Sequence, residues 1–334
     1  YSHVMGVVKA EAGRGVLAGT YYGYDVAHLR AYNNVGAWFQ CNNFDLHTCL
    51  HDPNWDYFAA PTPYSNRLAG SPYYTSFSQD SVRLHGKLLI GEMDHRTFVA
   101  APITYGRERS EDETASVMMR DMAGAMVDGA GYWFADWSSG RGRPGVGFFT
   151  DPSILRTVEQ ARQIHEQAME QPRTGAAEIA VFTDWRTMAY HDLYRSAPVY
   201  DNLIPRTLWE GMGKIGAPYD SYMLDDLGEQ SVQEGYKLYI FLNAFFLRPE
   251  DRERIEALKR DGKTLLFLYA PGYLSREAGL SSEGVSAVTG MTVAAKGGKE
   301  LMEYSLLPGE HPVIRGLQPD TTFSLQPFGY ALSR

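Results

Sequence analysis

Along the first half of the chain, short apolar runs alternate with stretches whose apolar positions recur every third or fourth residue. The first pattern predicts buried strands and the second amphipathic helices. GVLAGTYYGY (15–24) opens apolar and closes in tyrosines, which predicts a strand with an aromatic mouth. DVAHLRAYNNVGAWF (25–39) is helical at its start. NWDYFAAP (54–61) is a short buried strand closed by Pro61, and KLLIGE (87–92) is another. Ser110 and Glu113 form a capping box that opens the helix EDETASVMMRDMAGAMVDG. Its Met118, Met119, Met122, Ala125 and Met126 share one helical face and predict a core stripe rather than a metal-binding cluster. GYWFADW (131–137) is the next strand, and DPSILRTVEQARQIHEQAME (151–170) is a long amphipathic helix with Pro152 in its first turn.

Gly, Pro and Thr then cluster in QPRTGAA (171–177), which places a boundary between a unit 1–172 and a unit 173–334. The second unit repeats the alternation. It has a strand EIAVFTDW (178–185), a helix NLIPRTLWEGMGKIG (202–216), the segment APYDSYMLDDL, a strand KLYIFLNAFFL (237–247), a helix PEDRERIEALKRDG (249–262) and a strand KTLLFLYAPG (263–272). The tail from about residue 280 carries short β-like pieces, with no closing helix or evident last strand.

Strands that alternate with helices predict a parallel β/α architecture. A (β/α)8 barrel needs eight such units, and the first unit offers four strands, so its length and count predict half a barrel. Polar and aromatic residues gather at the C-terminal strand ends, which form the rim where barrel sites lie. They are Tyr21, Tyr22 and Tyr24; Pro61, Pro63 and Tyr64; Glu92 and Asp94; Asp136 and Trp137. The second unit is a doubly wound, flavodoxin-like or Rossmann-like domain. It has neither a G-x-G-x-x-G nor a Walker sequence, which favours a structural or assembly module over a nucleotide site.

Composition narrows the partners. The 334 residues are 44% hydrophobic and 21% charged, enough for a sizeable core in an ordinary globular protein. The net charge of −9 comes without a Lys/Arg stripe, so no nucleic-acid partner is expected. No apolar run approaches the roughly 18 residues of a membrane helix, and no membrane partner is expected. No leader sequence is visible, but the chain does not start with Met, and the compartment stays open. Cys41 and Cys49 are too few for a disulfide scaffold. Aromatic residues reach 13%, with 22 Tyr, a surplus that lines ligand clefts or fills cores.

The densest chemistry is GEMDHR, where a buried strand runs directly into Glu92, Asp94, His95 and Arg96. A carboxylate at a strand mouth suits an oxocarbenium-like transition state, while Arg96 and His95 nearby can hold ionisation states or hydroxyls. The plainer alternative is a solvated loop of ion pairs. His47 and His51 in DLHTCLHD have H-x-x-x-H spacing beside Asp45, Cys49 and Asp52, but lack the H-E-x-x-H arrangement. They predict a polar loop, and no metal or cofactor is expected.

The string GKLLIGEMDHRTF, with WDYFAAPTPYSNR and GTYYGYDVAHL before it and GYWFADW after it, resembles the second half of a clan A glycoside hydrolase barrel. It is most similar to family 42-type, β-galactosidase-like enzymes. The run AEIAVFTDW through KTLLFLYAPGYLS resembles the flavodoxin-like trimerisation domain that follows the barrel in those enzymes, and the resemblance spans roughly residues 15–300. It implies that the first unit holds strands five to eight of a retaining glycosidase acting on β-galactoside-like sugars. Glu92, ending the seventh strand, matches the nucleophile, with Asp94 as the competing carboxylate. Tyr64 would lie near the nucleophile or the sugar, and Trp133 or Trp137 would form a platform under a sugar ring. Asp136 and Arg96 would bind hydroxyls, and Tyr22 and Tyr24 would line the fifth-strand mouth with Tyr21. The implied partners are a carbohydrate substrate and further copies of the chain, as a homotrimer.

In that family the general acid/base is a Glu following Asn on the fourth strand. No Asn-Glu pair precedes Glu92, so the resemblance implies that this half of the barrel lies outside the sequence. Two other readings remain. One is a non-catalytic carbohydrate-binding or oligomerisation protein derived from such an enzyme. The other is an amidotransferase-like second unit, against which YIFLNAFFL offers no nucleophilic Cys.

Overall fold

The computed structural model describes residues 1–22, 45–63, 67–75, 77–104, 106–136, 147–172, 174–188, 190, 207–294, 302–305, 308–318 and 322–325. The alternating runs become two four-stranded parallel sheets in a mixed α/β fold. In the first sheet β1 (Gly19–Tyr21), β2 (Tyr57–Pro61), β3 (Leu88–Met93) and β4 (Gly131–Phe134) lie side by side in chain order. Around them are helices α1 (Ser2–Ala12), α2 (Leu46–His51), α3 (Gln79–Leu84), α4 (Glu111–Asp128) and α5 (Pro152–Met169).

Strand register sorts the side chains of this sheet into two faces. Phe58, Ala60, Leu89 and Met93 share one face and are buried in a core with Met118, Met122 and Ala125 of α4. On the other face Tyr57 lies beside Leu88, Ala59 beside Ile90, and Pro61 and Trp133 flank Glu92. Tyr21 of this second face is 48% exposed and Leu88 38% exposed. The sheet is thus packed on one side and partly open, among the described residues, on the other.

Helix α4 starts where the capping pattern predicts. The Ser110 hydroxyl accepts from the Glu113 amide at 3.2 Å. Gly129, left-handed at φ 74°, ends the helix at no steric cost. Asp151 caps α5 in the same way through the Ser153 amide.

The second sheet has the order β6-β5-β7-β8, with β5 (Ile179–Thr183), β6 (Tyr219–Met223), β7 (Leu238–Phe241) and β8 (Thr264–Phe267) all parallel. Strand β6 sits on its edge, and α3 of the first sheet's layer covers that edge. The Ser221 amide donates to the Asp80 carboxylate at 2.7 Å, and the Met223 amide donates to the Ser81 hydroxyl at 2.8 Å. Side chains of α3 thereby satisfy backbone groups that an edge strand would leave unpaired. A cavity of about 540 Å³ lies alongside, lined by Tyr73, Asp80, Arg83, Asp128, Tyr219 and Asp220 among others.

Several expectations change. Residues 25–39 lie outside the described residues. The helix expected over 202–216 is, in its described part, a wide turn at Thr207–Gly211 followed by a tight one at Met212–Lys214. Gly211, Gly213 and Gly216 explain the loss of a regular helix there, because glycine is costly in helix interiors. APYDSYMLDDL contains strand β6, and the tail contains a helix at Ser282–Thr289, capped by Ser281 and ended by left-handed Gly290. His47 and His51 sit on α2 rather than in a loop. Among the described residues no helix is long and apolar enough to cross a membrane.

Candidate active site

The C-terminal mouth of the first sheet collects three of the side chains singled out from the sequence. Glu92 ends β3, with Trp133 of β4 directly beside it in register. The Trp133 indole N–H donates to Glu92 Oε2 at 3.3 Å and to the Tyr21 hydroxyl at 3.2 Å. The Tyr21 hydroxyl donates to the same Glu92 oxygen. The Tyr21 and Trp133 rings approach to 5.8 Å between centroids. One carboxylate is therefore held by two aromatic donors on a face that is open in part.

Burial pushes the Glu92 carboxyl above its usual value; the Trp133 hydrogen bond opposes this, and the Asp94 charge adds to it. Glu92 is half-buried.

Asp94 has a different environment although it is two residues away. It is fully buried. Its two oxygens pair with separate guanidinium groups, Oδ1 with Arg67 at 2.5 Å and Oδ2 with Arg96 at 2.9 Å. Arg67, itself buried, also donates to the Pro63 carbonyl at 2.9 Å and the Asp94 carbonyl at 3.1 Å, and to the carbonyl of Thr62. Asp94 thus fastens the loops after β2 and β3 to each other. Arg96 is partly exposed and pairs with Asp94.

His95 is also fully buried, with Asp121 at 3.4 Å and Glu108 at 3.8 Å. Burial pushes His95 down to about 4 and Glu108 up to about 7. The run Glu92, Asp94, His95, Arg96 is therefore one rim carboxylate followed by a buried polar anchor, not a solvated loop.

Two further assignments are corrected. Tyr22 is completely buried and packs edge-on against Trp55 and Phe58, so it is a core residue and does not line the mouth. Strand alternation turns Tyr21 to the open face and Tyr22 to the core. Asp136 is exposed, and its carboxylate accepts from the Phe148 amide, which gives it a local role in holding the backbone. Tyr24, Tyr64 and Trp137 lie outside the described residues. Arg67 is the residue that the sequence did not point to. Its signal, a lone arginine after P-T-P-Y-S-N, has no periodicity.

At the C-terminal end of the second sheet, Asn243 clamps the neighbouring strand. It accepts from the Asp184 amide and donates to the Asp184 carbonyl, both at 2.7 Å. Arg186 and Arg248 neutralise Asp184, Asp225 and Asp251 around it. The strand end that an amidotransferase would use for a nucleophile is here a backbone brace.

No protein-family model matches the chain, and no curated protein matches it. Among solved structures it is similar to Gan42B, a GH42 β-galactosidase, at 12% identity and a TM-score of 0.46, covering 87% of this chain and 47% of that one. A catalytic mutant of Gan42B from G. stearothermophilus gives 13% identity and a TM-score of 0.44, with 87% and 47% covered. A β-galactosidase from the psychrophilic Marinomonas ef1 gives 12% identity and a TM-score of 0.42, with 77% and 45% covered. The chain spans about half the length of these structures.

Proposed function

We propose that this chain carries the nucleophile side of a retaining glycosidase site, with Glu92 as the nucleophile. The observation that carries the reading is the half-buried Glu92 carboxylate at a parallel-strand mouth, held by Tyr21 and Trp133. Such a carboxylate attacks the anomeric carbon and forms a glycosyl-enzyme ester as the aglycone oxygen leaves. Tyr21 and Trp133 hold the attacking carboxylate in place, and the faces of their rings offer apolar surface to a sugar. The sequence resemblance to β-galactosidase-like enzymes gives β-galactosides as the first substrates to try.

The half-barrel belongs to the same proposal. A parallel sheet is ordinarily covered on both faces. The face with Tyr21, Leu88, Ile90 and Glu92 is apolar yet partly exposed, and it is the face that would line a closed barrel. The general acid would stand about 5 to 5.5 Å from Glu92 across that interior. Asp94 does not fill the role, being sealed between two arginines.

An aryl galactoside with a dinitrophenolate leaving group needs no protonation to depart. It therefore tests the nucleophile without the acid. With the 2-deoxy-2-fluoro form, which slows release of the ester, intact-mass measurement should show one added fluoroglycosyl group. Peptide mapping should put it on Glu92, and Glu92→Gln should abolish it. A label on another residue would take the nucleophile's role from Glu92, and no label where sugar binding is measurable would replace this reading with a non-catalytic carbohydrate-binding one.

A further inference from the structure

Away from the Glu92 mouth, three imidazoles meet for which glycoside cleavage has no use. His47 and His51 lie one turn apart on α2, on the same side of the helix. His85 follows the end of α3. One ring nitrogen from each lies within 4.8 Å of the other two. The ring centroids of His47 and His51 are 4.3 Å apart, and those of His51 and His85 are 4.4 Å apart. Behind His85 stands Asp226, in the turn that follows β6, with its Oδ1 at 2.8 Å from His85 Nε2.

The hydrogen bonds decide which nitrogens are left as ligands. Nδ1 of His51 lies 2.8 Å from the His47 carbonyl. A carbonyl only accepts, so Nδ1 of His51 carries the proton and Nε2 keeps its lone pair. Asp226 likewise draws the proton to Nε2 of His85 and leaves Nδ1 with a lone pair. An imidazole held by a carboxylate through its far nitrogen is the usual outer partner arrangement of a metal-bound histidine. Two polar atoms at this place are buried without a hydrogen-bond partner among the described residues: Nδ1 of His47 and Oδ2 of Asp226. An unpaired buried polar group is costly, and coordination is one way to satisfy it.

We propose that His47, His51 and His85 form a binding site for a divalent transition-metal ion such as Zn²⁺, with Asp226 orienting His85. An all-imidazole set selects zinc, nickel, copper or cobalt over magnesium or calcium, which prefer oxygen ligands. In a tetrahedral site with bonds of about 2.0 Å the nitrogens stand roughly 3.3 Å apart. The nitrogens therefore close in on the ion, and His51, exposed on α2, has room to move. The site ties α2 to α3 and, through Asp226, ties both to the turn after β6. Its role is that of a staple between the two sheets, independent of the glycosidase reading.

The test is titration of the full chain with Zn²⁺ after stripping with a chelator, followed by calorimetry and thermal denaturation. One ion per chain should bind with a dissociation constant in the micromolar range or below, and the melting temperature should rise with Zn²⁺ but not with Mg²⁺. Co²⁺ should give the visible absorption of a four-coordinate site. His51→Ala changes an exposed side chain and should fold normally, yet weaken binding about 100-fold; Asp226→Asn should weaken it about 10- to 100-fold. Absence of saturable binding by the wild type, or binding unchanged in both His51→Ala and His85→Ala, would overturn the proposal.

Discussion

Glu92 and Asp94 are two residues apart on one strand end, and the physics of their surroundings predicts opposite responses to losing their charge. Asp94 is fully buried, and each oxygen meets a guanidinium. Removing one partner of a buried ion pair leaves an uncompensated charge and costs about 3–5 kcal/mol. Arg67→Met leaves Asp94 with Arg96 alone and should therefore lower stability in urea denaturation by up to about that much, with Asp94→Asn close behind. Glu92 has its pKa raised, chiefly by burial, so its ionised form is the disfavoured one. A raised folded pKa gives stability that is present at low pH and lost as pH rises through that pKa. At neutral pH, then, Glu92→Gln should leave stability equal or higher while it removes the labelling chemistry. Equal losses for Glu92→Gln and Arg67→Met would mean that both carboxylates are structural. The sequence shows Glu92 clearly, because a charge directly after an apolar strand stands out. It does not show Arg67, whose ion pair joins positions 27 residues apart on neighbouring loops and leaves no periodic trace. Tyr21 and Tyr22 illustrate a subtler limit. A three-residue strand is too short for alternation to fix its phase, so one tyrosine of the pair falls to the core and the other to the mouth.

At the scale of the element, long periodic segments were the legible ones. Helices α4 and α5 run almost as their caps and apolar stripes predict, because many small preferences add over 18 residues in each. Strand β6 was not legible, since YDSYM mixes polar and apolar residues without clear alternation. Part of its stabilisation comes instead from α3, whose Asp80 and Ser81 bond its amides, and such a tertiary contact overrides local propensity. Helix α4 also carries a conflict between propensity and packing. Gly124 lies in its interior, where alanine would gain up to about 1 kcal/mol of helix propensity. A Cβ there would fall 2.2 Å from the ring of Tyr73. Tyr73 is held by a hydrogen bond of 2.9 Å from its hydroxyl to Asp128, so it does not yield cheaply. Overpacking of this kind costs about 1–3 kcal/mol, and the clash should win. Gly124→Ala should lower the melting temperature. In a Tyr73→Ala background the same change should raise it, and a double-mutant cycle reads the coupling directly. A destabilising Gly124→Ala in both backgrounds would locate the cost elsewhere on the helix.

For the whole molecule the decisive region is the seam between the two sheets. The cavity there is lined by three aspartates, Asp80, Asp128 and Asp220, against the guanidinium of Arg83. Arg83 pairs with Asp80 at 2.7 Å and approaches Asp220 to 3.8 Å, while Asp128 has the Tyr73 hydroxyl. Burial and the neighbouring carboxylates push Asp80 up to about 6 and Asp128 up to about 7. Both groups bind protons more tightly folded than unfolded. Their contribution is therefore full below the unfolded value near 3.8 and disappears as pH rises through 6 and 7. Burial shifts His95 and Glu108 in opposite senses, to about 4 and about 7, so their effects on stability over the same range oppose each other. The exposed carboxylate Glu159, held down to about 2 by Arg162, acts only at lower pH. Stability should accordingly fall as pH rises from about 4 to about 7, the reverse of what paired surface carboxylates produce. Asp128→Asn keeps an acceptor for Tyr73 and removes the charge. It should raise stability at pH 7.5 by up to about 4 kcal/mol and have little effect at pH 4. Urea midpoints of the two proteins across that range measure this difference with other titrating groups held in common. If the Asp128→Asn curve runs parallel to the parent, the Asp128 carboxyl is not protonated in the fold, and the pH dependence of the seam lies with Asp80.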